Sequence, residues 1–446
     1  MRIWILFLFF ANALVAQVVT DADEDLVHDT DNVSTIEGPL TDVDTFIKKI
    51  APFDVSKYPY VESEYNIMLG FDSSRGASFG FWPLLDSLRT HKNFRINVLH
   101  FGGSHIQADV YSSLLRDSLQ SMDAGMAGPR GLVFPFSIIK TNNPANYRVS
   151  FTGTWEGHRA AVSYHTSNWG VTGITASTID KLATVSIKVR DNCASTPFTE
   201  VKVLCDTASS YTIELLPREN IMVIEQHLSL GYCKFKLKQP TDSMHLVITK
   251  TDTTNPAPFE LYGIIMENDE PGIAYHSIGA NGSSFKSNFR CELFEQHLVE
   301  INPDLVIISI GTNDSFEGDF TEDGFMAKYD TFIQMIRAVN SDAQFIFTVP
   351  NDSYYKRKYP NLNTAKIESA IYKLAVKHNA LVWDCYKIMG GLRSSKKWNS
   401  VGMMKKDLIH FTYNGYILKG ELFWDAFKRS YQNYLDSKTA TPANKR

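Results

Sequence analysis

The spacing of apolar residues changes period twice along the chain. From about residue 81 to 122 it alternates between helical and extended stretches. Phe81-Trp82-Pro83-Leu84-Leu85-Asp86-Ser87-Leu88 predicts a helix and Ile96-Asn97-Val98-Leu99-His100 a strand. Val110, Leu114, Leu115 and Leu119 then share one face of a helix over 110–122. Between 131 and 267 the period falls to two. Short runs at 147–151, 183–189, 199–204 and 244–248 alternate apolar with polar residues, and Asn, Asp, Gly and Pro separate them. In the third run Val201 and Val203 fall on one face, Glu200 and Lys202 on the other. That is the rhythm of an antiparallel sandwich.

Longer elements return after 267. The pattern predicts strands at 272–278, 305–310, 344–349 and 380–384, and helices at 292–302, 325–339, 364–377 and 415–434. The 305–310 run is continuously apolar but for Ser309, as in a parallel sheet covered on both faces. Strands alternating with helices predict an α/β fold with a doubly wound, mainly parallel sheet. A β-sandwich insertion splits it. The expected boundaries are 61–130 and 268–436 for the two parts of the α/β domain, with the insertion over 131–267.

The ends read differently. Arg2 precedes the apolar run 3–10, and small residues follow up to Ala16, so 1–16 reads as a signal peptide. Its apolar stretch is shorter than the ~20 residues of a membrane-spanning helix, and no later segment is apolar enough to span a bilayer. The expected location is exported, periplasmic or secreted, with no integral membrane segment after cleavage. Asp21, Asp23, Glu24, Asp25, Asp29 and Asp31 crowd an acidic flexible lead-in over 17–60, with one short helix near 43–50. Residues 437–446 read as a flexible tail.

Composition narrows the function classes. Of 446 residues 44% are hydrophobic and 21% charged, which suits packed cores and not a disordered chain. The net charge is −5 with no basic stripe, so nucleic acid is not an expected partner. Five cysteines, Cys193, Cys205, Cys233, Cys291 and Cys385, are too widely spaced for a disulfide framework or a metal site. Cys193 and Cys205 either pair across neighbouring strands or remain buried thiols.

Chemistry concentrates in segments that follow strands or precede the last helix. Ser104, in His100-Phe101-Gly102-Gly103-Ser104-His105, stands at a strand-to-helix turn, where open α/β sheets bind ligands. Gly279-Ala280-Asn281-Gly282 follows the 272–278 strand. Gly311-Thr312-Asn313-Asp314 follows the next. Asp407-Leu408-Ile409-His410 precedes the final helix. Each alone also reads as an ordinary turn or cap. Together they supply a hydroxyl nucleophile, amide donors for an oxyanion, and an imidazole base with a carboxylate, the set acyl transfer by serine needs.

The order Ser, Gly, Asn, Asp/His in these motifs resembles the SGNH (GDSL-type) hydrolase family over roughly 90–125 and 270–435. The resemblance implies a flavodoxin-like sheet, with Ser104 as nucleophile, His410 as base and Asp407 orienting His410. It implies an oxyanion hole from the Ser104 N–H, the Gly282 N–H and the Asn313 side chain, and no metal or cofactor. Gly282 is preferred to Gly279 because Ser283 and Ser284 follow it. One departure is Gly103, where the family usually has Asp. Ser104-His105-Ile106-Gln107-Ala108-Asp109 is similar to the extended first block of bacterial peptidoglycan O-acetylesterases, some of which carry a carbohydrate-binding-module-like sandwich at this point of the chain. His105 reads as structural or rim-lining, because adjacent helix residues diverge by roughly 100°. Trp155, Tyr164 and Trp169 read either as sandwich core or as sugar-stacking rings.

The expected function is an exported serine esterase that removes O-acetyl groups from a carbohydrate, a cell-wall glycan, through an acetyl-enzyme. The expected partner is that acetylated glycan. The alternatives are a glycan O-acetyltransferase and a non-catalytic glycan-binding envelope protein on a hydrolase frame.

Overall fold

The computed structural model describes residues 54–190, 193–206, 210–227 and 230–439. The expected signal peptide and the helix near 43–50 lie outside them, as does most of the acidic lead-in. Within that lead-in, Val55–Lys57 forms a short turn of helix and the Tyr60 ring packs 5.2 Å from Trp398, so the chain is ordered before residue 61.

The core sheet has six strands in the order Met68–Leu69, Leu381–Asp384, Gln344–Val349, Leu305–Ser309, Arg95–Gly102, Gly272–Gly279. Only the two-residue edge strand Met68–Leu69 is antiparallel. The five parallel strands, numbered along the chain, stand in the order 2-1-3-4-5, which is flavodoxin-like. Their inner residues are mostly apolar, with His100, His276 and Thr348 as buried polar exceptions. Leu305, Val306, Ile307 and Ile308 are each at most 1% exposed, because helices cover both faces. Glu322–Val339 and Thr364–His378 pack against one face of the sheet. Phe81–His91, Tyr111–Gln120 and Tyr413–Thr439 pack against the other.

The β-rich segment enters between the first two parallel strands of the chain. Its larger sheet runs Ile221–His227, Tyr232–Thr241, Phe198–Cys205, Phe259–Glu267, Ile174–Thr178, Glu156–Arg159, with Gly131–Val133 also paired to Phe259–Glu267. The smaller sheet runs Tyr147–Thr152, Leu182–Val189, Ser243–Lys250, Tyr211–Leu216. Every pairing is antiparallel. The two sheets enclose a core of their own, in which Val201, Val203, Val185, Leu246 and Ile248 are completely buried. The alternation seen in the sequence arises because one face of each strand meets this core.

Several expectations need correction. The last helix runs to Thr439, so regular structure extends past residue 437. All five cysteines are unpaired, which settles the Cys193–Cys205 alternative in favour of free thiols. Trp155 and Trp169 are 6% and 4% exposed and belong to apolar cores, so neither ring is a free sugar platform. Tyr164 is 74% exposed.

Candidate active site

The sheet order reverses between Arg95–Gly102 and Leu305–Ser309. Loops leaving the carboxyl ends of two such strands part to opposite faces and leave a crevice. Ser104 follows the first strand and Asn313 the second. Gly102 is needed for the close approach: a Cβ there would lie 2.4 Å from Ile106 Cγ1 and 2.8 Å from the Ser309 carbonyl. Ser104 then opens the short helix Ser104–Gln107, whose first N–H groups have no partner within the helix.

Ser104 Oγ lies 2.8 Å from His410 Nε2, and His410 Nδ1 lies 2.9 Å from Asp407 Oδ2. A carboxylate only accepts, so Nδ1 carries the hydrogen and Nε2 is left to accept from the serine. Asp407 Oδ1 accepts from the backbone N–H groups of Ile409 at 2.8 Å and His410 at 2.9 Å. Burial pushes the Asp407 pKa up, but these hydrogen bonds and the His410 charge hold it at about 2. The two side chains meet through a bend and not through a helical turn. Leu408 takes a left-handed φ of 59° to make it, and its buried side chain and the Tyr354 N–H bonded to its carbonyl at 3.2 Å hold it there.

Asn313 Nδ2 donates to the Ser283 carbonyl at 2.9 Å. A Cβ on Gly103 would stand 3.4 Å from Asn313 Nδ2, 3.6 Å from the Ser283 oxygen and 3.8 Å from the Ala280 oxygen. The Ser104 turn, the 280–283 loop and the Asn313 amide therefore converge. Gly282 has a φ of 83°, so glycine suits its backbone. Gly279 serves close packing instead: a Cβ there would come within 2.3 Å of the Gln107 nitrogen. Asp314 is buried, which raises its pKa to about 7, and it accepts the Phe285 N–H at 2.9 Å. It ties the Asn313 loop to the segment after Gly282.

Other supporting residues were invisible as such in the sequence. Gln107 Oε1 accepts the Asn281 N–H at 2.8 Å and so holds the 280–283 loop. His105 is buried behind the base and not on the rim. Its ring centroid is 5.1 Å from that of His410, and its Nδ1 is 3.0 Å from the Tyr416 hydroxyl. Burial, with Lys419 and His410 nearby, drives its pKa well down, so it stays neutral. Asp109 is a buried hub. Its Oδ2 binds Arg116 at 2.8 Å, Arg130 at 2.7 Å and Asn146 at 2.7 Å, and its Oδ1 accepts from Ser277 at 3.0 Å. It joins the Ser104 block to the β-rich segment. The spacing of Gln107 and Asp109 after Ser104 was the available signal, but their partners come from distant parts of the chain.

Residues 267–418 match the model of the GDSL-like Lipase/Acylhydrolase family. That segment carries the Gly282, Asn313, Asp407 and His410 motifs of the site. A solved peptidoglycan O-acetylesterase matches this chain with a TM-score of 0.64 at 19% identity, over 82% of this chain and 99% of the other. That coverage exceeds what the α/β part can supply, so the shared fold takes in the β-rich segment. A lipase/acylhydrolase from Enterococcus faecalis matches at 24% identity over 36% of this chain and 77% of its own, with a TM-score of 0.28. An acetyl xylan esterase matches at 21% identity over 35% and 82%, also with a TM-score of 0.28. No curated protein matches. Among the described residues no helix is long and apolar enough to cross a membrane.

Proposed function

We propose that this GDSL-type acylhydrolase is an exported O-acetylesterase acting on a cell-wall glycan, with Ser104 as nucleophile. The observation that carries the reading is the Ser104–His410–Asp407 relay, at 2.8 and 2.9 Å, at the crevice where the sheet order reverses. Ser104 Oγ attacks the acetyl carbonyl carbon while His410 Nε2 takes its proton. The oxyanion is stabilised by the Ser104 N–H, the Gly282 N–H and the Asn313 amide. The carbon–oxygen bond to the sugar breaks, and the sugar oxygen leaves with the proton from His410. Water, deprotonated by His410, attacks the acetyl-enzyme and releases acetate. Each oxyanion donor contributes about 3 kcal/mol in comparable sites.

His410 is 26% exposed, so water reaches the base, which favours hydrolysis over acetyl transfer to a second sugar. The peptidoglycan O-acetylesterase fold match supports a glycan substrate. The test is Ser104→Ala on p-nitrophenyl acetate and on O-acetylated peptidoglycan, reading acetate release. A fall of at least ~10³-fold is expected. Undiminished turnover by the pure variant would remove the proposed nucleophile.

A further inference from the structure

The hairpin after Gln344–Val349 belongs to neither the relay nor the core sheet. Its strands are Tyr354–Tyr355 and Tyr359–Pro360, with Tyr355 opposite Tyr359. Its base touches the bend that carries the base and its carboxylate: the Tyr354 N–H donates to the Leu408 carbonyl at 3.2 Å, and Asn351 Nδ2 donates to the Ile409 carbonyl at 3.1 Å. Those are the two residues between Asp407 and His410.

The hairpin is unusual in what it exposes. Tyr355 and Tyr359 are 47% and 53% exposed, large rings left in water. Phe316, three residues beyond Asn313, lies with its ring 5.7 Å from that of Tyr355. The tip is Lys356-Arg357-Lys358, fully basic and exposed. Lys356 Nζ stands 5.2 Å from the Tyr355 centroid and Lys358 Nζ 5.2 Å from that of Tyr359. None of the three cations has a carboxylate partner among the described residues. Glu317, the acid beside Phe316, is tied to Lys328 at 2.6 Å. Lys356 and Arg357 also hold left-handed φ values of 49° and 59°, a turn that normally selects Asn-Gly. Basic residues stand where the backbone would favour others.

We infer that this hairpin, with Phe316, is a subsite for a carboxylate-bearing glycan beside the acetylated sugar. Each ring holds a lysine ammonium over one face and leaves its other face for a sugar's C–H groups, and the ammonium offers a partner for a carboxylate. Lys356 and Lys358 each stand over a different ring of the hairpin. Two ammonium–ring pairs suit an acidic glycan chain, which can engage both, better than a single phosphate. The inference rests on the esterase reading and adds the charge class of its substrate.

The test compares O-acetylated polygalacturonate, neutral acetyl-xylan and p-nitrophenyl acetate as substrates. The variants are the triple Lys356→Gln/Arg357→Gln/Lys358→Gln and the double Tyr355→Ala/Tyr359→Ala. The ratio of kcat/KM on the acidic glycan to that on p-nitrophenyl acetate should fall at least tenfold in each. In the triple variant the dependence of the acidic-glycan rate on salt between about 20 and 200 mM should disappear. An unchanged ratio, or an equal fall on acetyl-xylan, would overturn the subsite. Inhibition by inorganic phosphate but not by galacturonate would overturn the carboxylate assignment. If the parent protein hydrolyses no ester, the esterase reading fails by itself. Retardation of the parent but not the triple variant in a polygalacturonate gel would still support the subsite, and no retardation of either would end it.

Discussion

Replacing Asp407 by Asn separates what the carboxylate does for chemistry from what it does for the fold. Asp407 makes one bond to the His410 ring and two to backbone N–H groups. An asparagine oxygen keeps the backbone bonds. Its NH₂ then faces His410 Nδ1, which must become an acceptor, so the ring hydrogen moves to Nε2 and points at Ser104. The base then has no lone pair for the serine proton. In a serine-protease triad the same change lowers kcat by about 10⁴. We expect a loss of at least ~10³ in kcat on p-nitrophenyl acetate, with KM changed less than about threefold. Stability has its own signature. The Asp407 pKa is lowered in the folded chain from 3.8 to about 2, so its ionised form favours folding above pH 4. That contribution, about 2 kcal/mol, is lost as pH falls from about 4 toward 2. Urea unfolding of parent and variant should therefore converge at low pH. An Asn variant that keeps a tenth or more of the parent kcat would refute the tautomer argument.

Three other outcomes follow from the packing. Asp109→Ala removes the ion-pair partner of buried Arg116 and Arg130, and should cost about 3–5 kcal/mol in urea unfolding. Tyr416→Phe removes the partner of His105 Nδ1, whose Nε2 is already unpaired, and should lower stability by about 1–2 kcal/mol. Thermal melts of Gly102→Ala and Gly279→Ala should fall well below that of Gly103→Ala. A Cβ meets atoms at 2.4 and 2.3 Å at the first two positions and at 3.4 Å at the third; equal melts in all three would contradict the close-packing account.

Much of this frame is readable from residue order. The apolar run 305–310 and the alternation at 199–204 each have one physical interpretation, because burial on two faces or on one dictates them. Other features depend on contacts no local pattern carries. Met68–Leu69 is too short for periodicity to register, and the Tyr354–Pro360 hairpin has Lys-Arg where a turn signal would be Asn-Gly. The Asp407–His410 spacing suggests a helical turn, but Asp407 binds the backbone of its own segment and bends it instead. The divergence of helix neighbours turns His105 away from Ser104, yet says nothing of its landing against His410, which is a matter of how the last helix docks.

The two ends of the β-rich segment are themselves hydrogen-bonded, Gly131 opposite Met266. To a growing chain this matters. Arg95–Gly102 and Gly272–Gly279 must find each other in register, and a tether spanning 103–271 makes that search slow. Once the sandwich has closed on itself, its entrance and exit lie side by side and the tether shrinks to two short leaders. The inserted module thereby acts as a clasp that prepares the neighbouring sheet for assembly.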